Sequence, residues 1–327
     1  MTTPDSPQLF YNDSYATFDD GETVLDALLR HGHDIPHGCR AGACQACVMV
    51  AEDHAPPAHA TQGLNEAQIT LGHFLSCQCK PSESMKLTLP GESSNKVSAQ
   101  VLEKSMLNDD VIQLTLQADL DFLAGQYITL FKNACTARSY SIASTPEEGV
   151  ITLHIKHIHH GAFSHWAKTD LNTGDKITLQ GPMGQCIYTC DTQAPLFLAG
   201  VGTGLAPLYG ILKQALQVKH QGQIHLVLGS KQAQQFYLVD TLHQLTEKQP
   251  NLACHLISQD SPNRPTYGGM LKQGDLYQYC RELMPSMTGQ QVFLCGADSF
   301  VKKMKRQCFM AGASMRDIRA DAFLPCA

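Results

Sequence analysis

The stretch Gly38–Cys47, GCRAGACQAC, sets Cys39, Cys44 and Cys47 at C-x4-C-x2-C spacing, and Cys77 follows after 29 intervening residues. Four thiolates at this spacing suit a compact cluster on which all of them converge. The small residues Gly38, Ala41, Gly42, Ala43 and Ala46 let the loop wrap closely and aim backbone N–H groups at the sulfurs. Cys44, Cys47, Cys77 and Cys79 could instead form a four-cysteine zinc site, which leaves Cys39 without a role. A cluster with two histidine ligands needs a C-x-H element, and the sequence has none.

Around this loop the chain reads as three modules. Upstream, Leu9 to Tyr11 and Ser14 to Phe18 are strand-like, and Asp20 is expected to cap a helix presenting Val24, Leu25, Leu28 and Leu29. Leu89 to Ser98, LPGESSNKVS, is polar, broken by Pro90 and Gly91, and reads as a linker that closes a first domain over residues 1–92. Next come short alternating segments, Val111 to Leu116, Tyr127 to Phe131, Ile151 to Ile155 and Lys176 to Gln180, which suggest an antiparallel barrel over 97–191. From 193 to 327, buried strands (Leu196 to Ala199, Ile224 to Leu228, Leu252 to Ile257, Val292 to Leu294) alternate with helical patterns, as in a parallel α/β sheet.

The 327 residues carry a net charge of −6, and no basic stripe is present to displace the counterions of a nucleic acid. Residues 1–90 hold eleven Asp/Glu against four Lys/Arg, whereas the remainder is nearly neutral. The first module is therefore expected to dock electrostatically on a basic patch of another protein, unless the charge serves only solubility. Met1 to Gln8 is polar with two prolines, so no secretory leader is expected. The longest apolar run, Pro195 to Leu212, is interrupted by Gly200, Gly202, Gly204 and Pro207, so no membrane span is expected. The odd total of 13 cysteines argues against a disulfide framework and for a reducing cytoplasm. The eight cysteines outside residues 39–79 are expected to be mostly small buried hydrophobes.

The cysteine pattern resembles that of plant-type ferredoxins, which implies a β-grasp α+β fold and a [2Fe-2S] cluster held by Cys39, Cys44, Cys47 and Cys77. The context Leu75-Ser-Cys77-Gln matches the family's last ligand better than Cys79 does. In the second module, Arg138-Ser139-Tyr140-Ser141 resembles the R-x-Y-S motif of the ferredoxin–NADP reductase superfamily, whose second element is matched by Gly161-Ala-Phe-Ser164. The resemblance implies a six-stranded antiparallel barrel that binds FAD. Tyr140 would stack on the isoalloxazine, Ser141 would lie near its reactive nitrogen, Arg138 would meet the pyrophosphate, and Ser139, His154, Gly161 and Ser164 would complete the site. A surface ion pair for Arg138 and ordinary strand packing for Tyr140 are the alternatives. The run His154, His157, His159, His160 and His165 also invites a metal reading, but a barrel strand and its turn pass through it.

In the third module, Gly200-Val-Gly202-Thr-Gly204-Leu-Ala-Pro207 is similar to the superfamily's glycine-rich turn for the nicotinamide dinucleotide, and a tight packing turn is the alternative. Phe293-Leu-Cys295-Gly296 resembles its Cys-Gly motif, making Cys295 a positioning residue beside the nicotinamide. Asp321-Ala-Phe323 resembles its acidic-x-aromatic ending, which places a ring over the flavin, with Asp where Glu is commoner and four residues after Phe323; terminal packing of Phe323 is the alternative. Ser230, Lys231 or Arg264 could hold a 2′-phosphate, with no acidic residue visible to reject it. Gln259 stands where NADPH users often have Arg, so NADH is expected with NADPH possible.

The module order resembles the reductases that feed oxygenases. It implies electron flow from NAD(P)H through FAD and a [2Fe-2S] cluster to a protein acceptor, an oxygenase or hydroxylase component. A reductase of deoxysugar biosynthesis, a stand-alone flavin reductase or diaphorase, and a non-catalytic interaction protein are the alternatives.

Overall fold

The computed structural model describes residues 7–37, 40–42, 47–64, 66–90, 96–133, 136–260 and 267–323. The chain divides into two compact units, Met1–Ser94 and Asn95–Ala327.

In the first unit β1 (Gln8–Tyr11) and β2 (Ser14–Thr17) form a hairpin turned by Asn12 and Asp13, whose φ values of 48° and 58° suit these residue types. There follow α1 (Val24–Arg30), β3 (Val48–Ala51), α2 (Glu66–Thr70), β4 (His73–Leu75) and β5 (Met85–Thr88). The sheet order is β2-β1-β5-β3-β4, with β1 and β5 parallel and the other pairs antiparallel. The helix lays Val24, Leu25, Ala27 and Leu28 on a core of Leu9, Tyr11, Met49, Phe74 and Leu87, the arrangement of a β-grasp fold. Its cap corrects the expectation of Asp20: Thr23 has extended backbone and its hydroxyl accepts from Asp26 N at 3.1 Å. Asp20 lies three residues short of that position, and Leu29 is only half-buried.

The second unit opens with an antiparallel barrel: β6 (Lys96–Met106), β7 (Val111–Gln117), β8 (Tyr127–Asn133), β9 (Thr136–Ser141), β10 (Ile151–Lys156), α3 (Ser164–Thr169) and β11 (Lys176–Met183). The order β10-β7-β6-β11-β8-β9 curls until its ends meet, through a bridge between Ile142 and Leu153 and a bond from Ala143 N to Thr152 O at 2.8 Å. Alternate residues such as Ile112, Leu114 and Leu116 point inward and fill the barrel, as a period of two demands.

The parallel sheet follows: β12 (Leu196–Val201), α4 (Leu205–Gln217), β13 (Ile224–Ser230), α5 (Val239–Lys248), β14 (Leu252–Ser258), β15 (Leu271–Gln273), α6 (Leu276–Leu283), β16 (Gln291–Ala297), α7 (Asp298–Met310) and β17 (Ile318–Phe323). Leu196 and Leu198 face α4 and α5, while Phe197 and Ala199 face α6 and α7, so β12 is buried on both sides and reads as an unbroken apolar run. The strand order is β15-β14-β13-β12-β16-β17. From β12 the chain travels one way to β15, then jumps back to β16. That reversal opens a crevice at the carboxyl ends of β12 and β16, where such sheets bind ligands. The edge strands β15 and β17 were not expected, because LKQ is too short and IRADAF too polar to read as buried strands. Among the described residues no helix is long and apolar enough to cross a membrane.

Candidate active site and cluster loop

The barrel meets the parallel sheet at its crevice. Ser141, 6% exposed at the end of β9, donates its hydroxyl to Asp321 Oδ2 at 2.7 Å across 180 residues of sequence. Parallel register sets Asp321 on β17 opposite Cys295 on β16, so three residues from three distant motifs converge. Burial raises the Asp321 carboxyl above its ordinary range, and the Ser141 bond opposes that rise only in part. Cys295 is fully buried, its Sγ lies 3.6 Å from that of Cys186, and burial holds its thiol well above the usual value. A thiol so held is neutral and a poor nucleophile. Phe323, half-buried, pairs in register with Ala297 beside this junction.

The glycines divide by role. A Cβ on Gly204 would stand 2.1 Å from Cys295 O, and one on Gly200 2.8 Å from Leu208 Cδ1 and 3.1 Å from Cys295 O, so these two let the turn press on β16. Gly202, with φ +58°, would meet nothing within 4 Å, so the backbone stands open there. Gly296 at the end of β16 has φ +133° and packs on Val201. The packing reading of the turn therefore holds at Gly200 and Gly204, while Gly202 leaves its space open.

On the barrel, Arg138, half-buried, bonds its own strand through Nη1 to Ala137 O at 2.7 Å, and the Ser139 and Thr129 hydroxyls lie 2.9 Å apart. Tyr140 tilts against Phe163 with ring centroids 5.4 Å apart, and Phe163 meets Trp166 edge-on at 5.3 Å. Gly161 accommodates Ser164, whose Oγ accepts from Ile158 N at 3.0 Å; that hydroxyl is occupied in shaping the turn. A hollow of about 430 Å³ opens beside it, lined by Lys132, His159, His160, Gly161, His165 and Trp166 among others. His154 is set apart from these histidines: it is 4% exposed, and its Nδ1 shares a hydrogen bond with the Tyr237 hydroxyl at 3.2 Å.

In the first unit, the Cys47 thiol meets that of Cys77. Ser76 fixes the pair by donating its N–H and hydroxyl to Cys47 O at 3.0 and 2.8 Å. Gln78, not singled out from sequence, ties the ends of the loop: its Nε2 reaches Arg40 O at 3.1 Å and Cys77 Sγ at 3.4 Å. Cys79 lies in the apolar core, fully buried, with its thiol pushed up to about 12. Cys39 and Cys44 lie outside the described residues. Cys186, Cys254, Cys280, Cys295 and Cys308 are buried free thiols and Cys190 is half-buried.

Beyond β13, Lys231 is exposed and Ser230 donates to Gln235 Oε1 at 2.7 Å. The expectation that no acidic residue stands here is corrected. Asp260 arrives from the end of β14, and its Oδ1 accepts from Ala233 N at 2.9 Å. The pairing of Ser230 with Ser258 across the sheet brings it there, a contact that linear distance conceals. Arg264 lies outside the described residues.

These features fit three bound groups: paired thiols in a stapled loop, aromatic rings beside a polar hollow, and an open glycine at a switch-point crevice. Comparison with known proteins agrees. The family model for 2Fe-2S iron–sulfur cluster binding domains matches residues 10–82, that for oxidoreductase FAD-binding domains 98–188, and that for oxidoreductase NAD-binding domains 197–306. The electron transfer component of xylene/toluene monooxygenase from Pseudomonas putida is 27% identical over 316 residues, covering 93% of this chain and 89% of its own. CDP-6-deoxy-L-threo-D-glycero-4-hexulose-3-dehydrase reductase of Yersinia pestis is 27% identical over 320 residues, covering 94% and 95%. The crystal structure of an Amycolatopsis cytochrome P450 reductase superposes with a TM-score of 0.67 at 26% identity, covering 97% of this chain and 99% of that one. The chain is thus an NAD(P)H-dependent oxidoreductase that carries, in order, a 2Fe-2S cluster binding domain, an FAD-binding domain and an NAD-binding domain.

Proposed function

We propose that the chain takes electrons from NADH and delivers them, through FAD and a cluster on Cys39, Cys44, Cys47 and Cys77, to an oxygenase or hydroxylase component that docks on its acidic first domain. The observation that carries the entry half is the Ser141–Asp321–Cys295 junction at the switch-point crevice. Flavin, when bound, would accept the electron pair of one hydride and give up its two electrons singly, which a one-electron cluster requires. Around it, Ser141 Oγ and Asp321 Oδ2 hold a proton at the junction of barrel and sheet. The neutral Cys295 thiol shapes the nicotinamide side, Tyr140 and Phe323 offer ring faces, and Arg138 offers a cation. Gly161 with Ser164 shapes the turn at the hollow, and His154 backs the barrel wall. Gly202, in the open turn between Gly200 and Gly204, receives the dinucleotide, with Gly296 across the crevice.

The oxygenase reading draws on relatives such as the xylene/toluene monooxygenase component, and on the acidity of residues 1–90. The deoxysugar reading rests on the Yersinia pestis relative at the same identity. Reduction of a purified oxygenase component is expected to slow as salt rises from 20 to 200 mM, since screening acts across about 10 Å at 0.1 M. A rate independent of ionic strength would remove the docking role of the acidic surface. Faster turnover with a dehydrase partner would favour the second reading.

Coenzyme choice follows from Asp260. Its carboxylate at the end of β13 disfavours a 2′-phosphate, whereas Lys231 would attract one. Asp260→Asn keeps an oxygen for Ala233 N and removes the charge, and is expected to raise the NADPH/NADH ratio of kcat/KM on the order of ten-fold. An unchanged ratio would clear Asp260 of any part in the choice.

A further inference from the structure

Segment 232–238, between β13 and α5, lies at the carboxyl edge of the parallel sheet and is held from two directions. From the sheet side, Ser230 and Asp260 bind Gln235 and Ala233 as described. From the barrel side, Asn108 Nδ2 donates to Gln235 O at 3.0 Å, and His154 bonds the Tyr237 hydroxyl with the two rings edge-on at 5.3 Å. His154 and Tyr237 are each 4% exposed, so water cannot replace either partner. Burial pushes His154 down to about 3, so its imidazole is a neutral donor and acceptor rather than a charge. Leu238 then turns into α5 with φ 57° and ψ 22°, a left-handed conformation that a leucine keeps only where its surroundings fix it.

In dinucleotide-binding α/β sheets the residues at the end of the second strand meet a ribose of the coenzyme. We infer that Asn108 and His154, both on the flavin barrel, are positioning residues for the nicotinamide coenzyme: they set the segment against which its ribose seats. The inference rests on the reading of this crevice as the NADH site. It makes the barrel part of the coenzyme site without touching the coenzyme, so a barrel change can weaken NADH binding and leave the flavin in place.

Asn108→Asp is the selective test. Asn108 Oδ1 accepts from Asp110 N at 3.0 Å and from Val111 N at 2.8 Å, bonds that an aspartate retains, while the donor to Gln235 O is lost. With the holoenzyme, KM for NADH and the dissociation constant of NAD+ are expected to rise about five-fold, the worth of one neutral hydrogen bond. Saturated kcat and FAD content should stay at wild-type values. His154→Phe is expected to raise KM in the same direction, and His154→Gln to restore much of it. Wild-type KM and NAD+ affinity in Asn108→Asp would overturn the inference, as would a fall in kcat or loss of FAD without a change in KM. A wild-type enzyme whose flavin is not bleached by NADH would instead overturn the reading on which it rests.

Discussion

Replacing Cys77 with serine is expected to abolish NADH-driven reduction of the protein acceptor while dye reduction by NADH continues near the wild-type rate. The physical reason is a division of labour. The Ser141–Asp321–Cys295 junction, the open turn at Gly202 and the aromatic hollow all belong to the unit Asn95–Ala327. Cys77 belongs to the other unit, where its thiol meets that of Cys47. A serine hydroxyl supplies no thiolate, so a cluster held by Cys77 as proposed would be lost while the flavin half keeps its parts. Cys79→Ser provides the contrast: Cys79 shares the core with Cys47 and Cys77, but burial alone raises its thiol whereas Cys47 also meets Cys77, so its change should cost some stability but spare the low-temperature EPR signal. Loss of that signal in Cys79→Ser, with its survival in Cys77→Ser, would exchange their roles.

Ser141→Ala is expected to slow flavin reduction by NADH on the order of 10²-fold in stopped-flow absorbance, the usual cost of removing one preorganised donor at a reacting centre. FAD content should hold, because the tyrosine, arginine and turn of the barrel are untouched. Without its hydroxyl, Asp321 Oδ2 loses its 2.7 Å partner and is left half-buried. A drop of less than about three-fold would show that the pair is a domain contact and nothing more. Asp321 adds a pH signature. Its pKa in the folded protein is raised, mainly by burial, so stability falls as pH rises from the ordinary carboxylate range through that raised value and stays lowered above it. Asp321→Asn should therefore melt higher than wild type at neutral pH, and the advantage should vanish below the ordinary carboxylate range, where both folded and unfolded aspartate are protonated. A constant difference in melting temperature across that range would contradict the assignment.

Much of this arrangement is legible in the chain because each module carries a short-range signature. The cysteine spacing marks the first, strand alternation with Arg138-Ser-Tyr140-Ser141 the second, and the apolar strand running into Gly200 and Gly204 the third. Contacts between segments remote in sequence are what a linear reading loses. Asp260 reaches the end of β13 only because β14 lies beside it, and Asn108 reaches Gln235 across 127 residues. Cys186 reads as one more small hydrophobe until it is found against Cys295. His154, grouped with the cofactor residues by its strand, lies buried against Tyr237 instead of opening to the hollow lined by His159 and His160. Local chemistry can mislead too: Asp20 looks like a cap, but the chain turns into α1 only at Thr23, whose extended backbone lets its hydroxyl meet Asp26 N.

The central claim is that one chain relays electrons from a nicotinamide through a flavin to an iron–sulfur cluster. An anaerobic titration of the purified holoenzyme with NADH tests it most directly, following the visible spectrum and low-temperature EPR together. Bleaching of the flavin bands with growth of a one-electron [2Fe-2S] signal is the expected result. Flavin bleaching without any cluster signal would contradict it, leaving a flavin reductase whose cysteine loop holds another metal, for which a zinc assay would be decisive.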